Sequence, residues 1–312
     1  MKRQIIAVAA FAGLLLAACG DDESTTTTQA PATDAPSTDA PSTDAPSGDA
    51  AACAEGKTLE AGMLTIATGD PAYPPYVIDD DPASGQGFEA ALAMAVAAQM
   101  GFEGDAVSWV RTGFDEAIAP GEKTFDFNLQ QYSINAERQQ VVTFSDPYYS
   151  APQAAIASAD STLQISTIAD LKSLNIGVAA GTTSIDLVEN VIQPDSQVQI
   201  FNSNADANAA LVNGQIDILV VDLPTALYLS AAEFDNAKVI GQFPASAGSE
   251  AEPWGMLFAK DNPLVECVNM ALANLTASGE LATITDTWMG EYTEAPEISM
   301  GWATRDGGNS AS

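Results

Sequence analysis

The sequence predicts an α/β fold with open sheets. Three observations carry this. From residue 64 to residue 290, short apolar runs alternate with segments of helical spacing. Glycine or proline stops the helical segments, at Gly101, Pro120–Gly121 and Gly214. The chain has 312 residues and is 46% apolar, enough for one large or two medium domains with a full core. In such folds ligands bind at the carboxyl ends of the strands.

Charge and composition exclude several functions. Ten Lys plus Arg stand against 42 Asp plus Glu, a net charge of -32. Such a surface repels phosphate backbones and anionic headgroups, so nucleic acid is not an expected partner. The sequence has no histidine, which removes Ser-His-Asp, Cys-His and His-metal chemistry together. It has no Walker loop, no GxGxxG and no CxxC. No cofactor and no metal is expected.

Residues 1–18 read as an export signal, with Lys2 and Arg3 followed by an apolar run too short for a permanent span. The run ends in Leu16-Ala17-Ala18-Cys19, which resembles the bacterial lipobox and implies a lipid on Cys19. The alternative is an ordinary signal peptide with a chance cysteine. Residues 19–52 read as a disordered tether, because TDAPS recurs from Thr33, Thr38 and Thr43 with almost no large apolar group. Regular prolines keep such a spacer extended. Cys53 and Cys267 remain. An exported chain meets oxidising conditions, so a disulfide is expected, with two free buried thiols as the alternative.

The first strand, residues 64–67, leads into a loop carrying Asp70, Pro71, Tyr73 and Tyr76, made stiff by Pro74 and Pro75 between the two tyrosines. Residues 87–101 follow as a core helix. A second strand covers 107–110, and Phe114 opens a short helix. Residues 124–149 hold a strand ending at Ser133-Ile134, a helix opening at Asn135 with Arg138, a strand 141–145 and an aromatic corner, Asp146 to Tyr149. In so acidic a chain Arg138 is a candidate carboxylate fork. The alternative is a solvated helix arginine.

Residues 153–158 are extended, and 168–174 read as a helix. The strand 175–180 runs into Gly181-Thr182-Thr183-Ser184 and a helix over 185–192. Such a turn offers N–H groups and hydroxyls to an anion, or simply caps its helix. A strand at 198–201, a helix at 203–213 and a buried strand at 216–221 follow. Asp222 ends that strand, either as an acid facing ligand or as the cap of the next helix. A strand at 238–243, loose chain at 244–253, the apolar run 254–260 and two helices, from Asn262-Pro263 and from Glu280, complete the folded part.

Ser133, Ile134, Arg138, Phe144, Ser145, Pro147, Tyr148 and Tyr149 resemble the signature of the polar amino-acid solute-binding proteins of ABC importers, solute-binding family 3. Asn135 stands where that family has Thr. The resemblance extends over residues 64–289. It implies a two-lobed periplasmic-binding-protein-like type II fold with a hinge of two crossover segments. Lobe one would be 53–150 plus 252–306, lobe two 151–251, and 307–312 a disordered tail. It implies that Arg138, Ser133, Thr182 and Thr183 hold a ligand carboxylate. Asp222 would take the ammonium, Tyr73 and Phe114 would line the side-chain pocket, and Asp70 would favour cationic or neutral polar ligands. The partners implied are a free amino acid, an ABC permease and, through Cys19, the outer face of the membrane, with the protein a monomer. Rival functions are an enzyme on the same scaffold, of the cyclohexadienyl dehydratase kind, and a ligand-sensing ectodomain.

Overall fold

The computed structural model describes residues 48–230, 237–244, 252–290, 295–296 and 298. All belong to one unit, Asp44–Ser312. The export signal, Cys19, the TDAPS repeats and the expected tail at 307–312 lie outside the described residues.

Among the described residues twelve strands follow in chain order: β1 Leu64–Gly69, β2 Val107–Thr112, β3 Phe127–Asn128, β4 Val142–Phe144, β5 Tyr149–Ala151, β6 Gln153–Ser158, β7 Ile176–Ala179, β8 Gln199–Phe201, β9 Ile218–Asp222, β10 Ala237–Gln242, β11 Glu252–Trp254 and β12 Leu257–Ala259. Ten of them form two five-stranded sheets, β2-β1-β3-β12-β4 and β10-β6-β9-β7-β8, and β5 and β11 form a two-stranded one. In each, the strands linked by helical crossovers run parallel, while the strand nearest the junction runs antiparallel: β12 against β3 and β4, and β6 against β9 and β10. The two segments joining the sheets pair as an antiparallel ribbon, with Glu252 opposite Ala151 and Trp254 opposite Tyr149. This is the two-lobed fold with two crossovers that the sequence predicts.

The first sheet is buried under the helices Phe88–Gln99 and Val265–Ser278, through Leu64, Ile66, Phe88, Leu92, Val96, Val268 and Leu272. The second sheet is covered on both faces, and the two-residue period shows how. Ala155, Ala157, Ile218 and Val220 face one apolar cluster, while Ala154, Ile156, Leu219 and Val221 face the other. At the ribbon, Trp254 is fully buried against the rings of Tyr149 and Tyr76, at 5.0 and 5.8 Å.

The ordered body begins before Cys53. Asp49 caps a helix Ala50–Ala54, its Oδ1 accepting from the Ala52 N–H at 3.0 Å, so residues 50–52, expected in the tether, are helical. The run of small residues resembles the tether in composition, but Ala50 and Ala54 are buried. Cys53 in this helix is bonded to Cys267 in Val265–Ser278, with a Cα–Cα distance of 5.4 Å. Lys57 Nζ lies 3.4 and 3.3 Å from the two sulfurs.

Several expected helices are tighter or shorter. Residues 135–141 hold only a 3-10 turn, Arg138–Gln140, and Asn135 Oδ1 caps it by accepting from the Arg138 N–H at 2.8 Å. Ile168–Leu171 is likewise one 3-10 turn, tied by the Asp170 carboxylate to the N–H groups of Ser166 and Thr167. The helix after Thr183 has three α-helical residues and then a π-helical stretch, Leu187–Ile192.

Candidate functional site

A cavity of about 780 Å³ opens at the carboxyl ends of β1, β7 and β9. Asp70, Tyr73, Phe114, Ser133, Arg138, Thr182, Thr183 and Asp222 all line it. The family resemblance implies these eight, and the fold brings them to one space from both sheets.

Arg138 is only 6% exposed, so it is not a solvated helix arginine. Its Nη1 donates to the Ser133 carbonyl at 2.8 Å, and its Nη2 donates to the Gly181 carbonyl at 2.8 Å. The guanidinium lies over the Phe114 ring, 5.4 Å from its centroid, and Phe114 stacks on Tyr132 at 4.8 Å. A guanidinium has five N–H donors. Two hold it in place across the cleft, and the rest can face an anion. Burial lowers its pKa, while the charges of Glu252 and Asp222 work the other way.

The turn 180–184 differs from expectation in one respect. Both threonine hydroxyls are already committed. Thr182 Oγ1 donates to the Ala179 carbonyl at 2.8 Å, and Thr183 Oγ1 donates to Glu252 Oε2 at 2.6 Å while accepting from Gln153 Nε2 at 3.0 Å. What the turn can still offer an anion is backbone N–H. Gly181 suits this turn because its φ is +68°, and the exposed Asp115 carboxylate approaches it from the first sheet's side.

Asp222 occupies the cap position of the helix Leu223–Tyr228, but its side chain makes no capping hydrogen bond. The carboxyl opens onto the cavity instead. Its pKa is raised to about 8, by burial first and by the negative charge of Glu252 second, with Arg138 pulling the other way. Gln153 lies directly opposite it across β6 and β9. Its Nε2 also reaches Glu252 Oε1 at 3.3 Å. Glu252, on the returning ribbon strand, therefore links the hinge to the anion turn and, by charge, to Asp222. Sequence reasoning missed it, since residues around it read as loose chain.

Glu89 was also missed. The helix Phe88–Gln99 reads as core, yet Glu89 in its first turn lines the cavity at 1% exposure. Burial raises its pKa to about 7, against donation from the Tyr148 hydroxyl and from Gln131, whose N–H is 2.8 Å away. A carboxylate opening an otherwise apolar helix was the available signal. Tyr73 packs against the apolar cluster of the second sheet, and Tyr76 Oη lies 3.0 Å from Thr225 Oγ1, so the proline loop touches both lobes. Arg111 stays out of the cavity. It binds Asp80 at 2.6 Å and the Gly69 carbonyl at 2.8 Å, and Asp80 in turn accepts from the Ala72 N–H at 2.9 Å. The cavity lining thus carries four carboxylates, Asp70, Glu89, Asp206 and Asp222, against one guanidinium, Arg138.

Two lobes that face a common cavity, joined by a two-strand ribbon, with opposite charges set at its walls, define a solute-binding protein. The chain belongs to the bacterial extracellular solute-binding proteins, family 3, whose model matches residues 64–291. It is 28% identical over 235 residues to the L-cystine-binding protein TcyJ of Escherichia coli, covering 75% of this chain and 85% of that one. It is 26% identical to the arginine-binding periplasmic protein of Mannheimia haemolytica, covering 75% and 95%. Among solved structures, an ancestral arginine-binding protein bound to glutamine matches with a TM-score of 0.64 and 29% identity, over 74% of this chain and 99% of that one. An ancestral amino-acid-binding protein described as a precursor of cyclohexadienyl dehydratase matches with a TM-score of 0.60 and 29% identity, over 73% and 95%.

Proposed function

We propose that this protein captures an amino acid between its lobes and delivers it to the permease of an ABC importer. The carrying observation is that Arg138, from the first sheet's side, and Asp222, from the second, line the same cavity. An amino acid carries a carboxylate and an ammonium close together, and each needs a fixed partner when water is removed. The Arg138 guanidinium, the Ser133 hydroxyl and the N–H groups of Thr182 and Thr183 serve the carboxylate. Asp222 serves the ammonium. Only the closed lobes present all of these at once, so binding and hinge closure are one event.

The ligand is cationic or neutral polar, because the lining has four acids, Asp70 among them, against one arginine. The relatives named for cystine and arginine support an amino acid. The family is one of binding proteins, and binding without turnover is the reading adopted here. The protein acts as a monomer outside the cytoplasm, held to the membrane by a lipid on Cys19, in keeping with Leu16-Ala17-Ala18-Cys19. A thermal-shift panel of the twenty amino acids and cystine tests the ligand class. Cationic or neutral polar members should give the largest stabilisation, and a largest shift with glutamate or aspartate would overturn the assignment.

A further inference from the structure

The chain passes between the lobes again after the ribbon. The helix Glu280–Met289 belongs to the first lobe. Met289 is fully buried in the cluster of Leu64 and Trp254, and Leu281, Ile284 and Trp288 pack against that cluster. Ala295, Pro296 and Ile298, expected in lobe one, lie instead on the second sheet. The Gln242 N–H donates to the Pro296 carbonyl at 2.8 Å, and the Ile298 N–H donates to the Gln242 carbonyl at 2.8 Å. Gln242 ends β10, the edge strand of that sheet. The segment therefore joins an open edge, where unpaired backbone groups invite another strand.

Side chains hold it there. Ile298 is 2% exposed, within the cluster of Ile218 and Val220, and Ala295 packs against the cluster of Ile156 and Leu219 on the other face. Gly241 in β10 makes the approach possible. A Cβ on it would stand 2.5 Å from the Pro296 carbonyl oxygen and 2.9 Å from Ile298 Cγ1. A carbonyl oxygen in a paired backbone cannot swing aside as the end of a flexible side chain can.

Met289 and Ala295 are thus fixed to different lobes, with only residues 290–294 between them. A stretch so short reaches at most roughly 20 Å. Hinge opening draws the two lobes apart, so wide opening must pull the segment off β10. We propose that Ala295, Pro296 and Ile298 form a strap that limits how far the cleft opens and holds the ligand-free protein near its closed form. Contacts across the cleft fit this: Arg138 Nη2 reaches the Gly181 carbonyl at 2.8 Å, and Tyr76 Oη meets Thr225 Oγ1 at 3.0 Å. A protein kept near its binding-competent form loses less affinity to the conformational step. Only this effect on affinity rests on the amino-acid capture proposed above; the limit on opening does not.

The test releases the strap from each side, with Gly241→Val on β10 and Ile298→Asp on the segment, singly and together. Small-angle X-ray scattering of the ligand-free protein should show a larger radius of gyration in the variants than in the wild type. Saturating arginine should bring the radii back together. Calorimetry with arginine should show affinity weakened by roughly three- to tenfold, since the competent fraction falls while the clamp is untouched. Ile298→Asp carries the comparison alone should Gly241→Val not fold. A lower melting temperature with an unchanged ligand-free radius in the double variant would mean that the segment only covers the sheet edge, and would overturn the strap. So would Gln242 and Ile298 amides that exchange freely with solvent in the wild type. Failure of the wild type to bind arginine or any other amino acid would instead refute the capture, and the ligand-free radii would still decide the strap.

Discussion

The Thr183 hydroxyl donates to Glu252 Oε2 at 2.6 Å, which ties the anion turn of the second lobe to the returning strand of the hinge. A hydroxyl has one hydrogen to donate, so in this arrangement Thr183 serves the hinge rather than a ligand. Thr183→Val should therefore cost about 1–1.5 kcal/mol of binding through a loosened turn, far less than loss of the Arg138 guanidinium. Calorimetry with the best ligand of the panel decides it. A loss as large as that of Arg138→Ala would place the hydroxyl on the ligand itself.

The second prediction concerns pH. The Asp222 carboxyl, with a pKa of about 8 against an ordinary 3.8, holds its proton more tightly in the folded chain than in the unfolded one. The stability it confers is full below about pH 4 and is lost as pH rises toward 8. The slope is at most about 1.4 kcal/mol per pH unit for this group. Glu89, held at about 7, adds to it. Urea unfolding of ligand-free protein at pH 5 and pH 8 should show a stability loss with rising pH that shrinks in Asp222→Asn. An identical slope in that variant would show that Asp222 titrates normally.

The Cys53–Cys267 bond closes a loop of 214 residues between the first helix and a late one. Loops of this length are stabilised by about 5 kcal/mol in the chain-entropy model, and by roughly 2–5 kcal/mol in measured cases. Cys267→Ala should lower unfolding stability by that order. Intact mass after alkylation should show neither cysteine modified until reductant is added. Two labelled thiols in the native protein would contradict the bond.

Much of the fold was legible because its signals are local. Apolar runs such as residues 216–221 and stops such as Gly101 and Gly214 mark strands and helix ends within a few residues. The eight site residues were found through the family resemblance, and the cavity gathers them. What local reading missed depends on contacts far apart in sequence. Glu252 matters only because Thr183 and Gln153 fold against it. Glu89 lies in a segment that reads as a core helix, and only Gln131 and Tyr148, distant in sequence, make it part of the site. The short turn at Arg138–Gln140 read as a helix because Asn135 followed by Glu137 is a helix-opening pattern.

The central claim is that Arg138 and Asp222 together clamp one amino acid. Removing either partner of a buried charge pair leaves the other uncompensated, at roughly 3–5 kcal/mol. That is on the order of a hundred- to a thousandfold or more in affinity. The direct measurement is calorimetry of the panel's best ligand against wild type, Arg138→Ala and Asp222→Ala, with the fold of each variant checked by circular dichroism. The account predicts binding to the wild type and none detectable in either folded variant. Wild-type affinity in either one would contradict it.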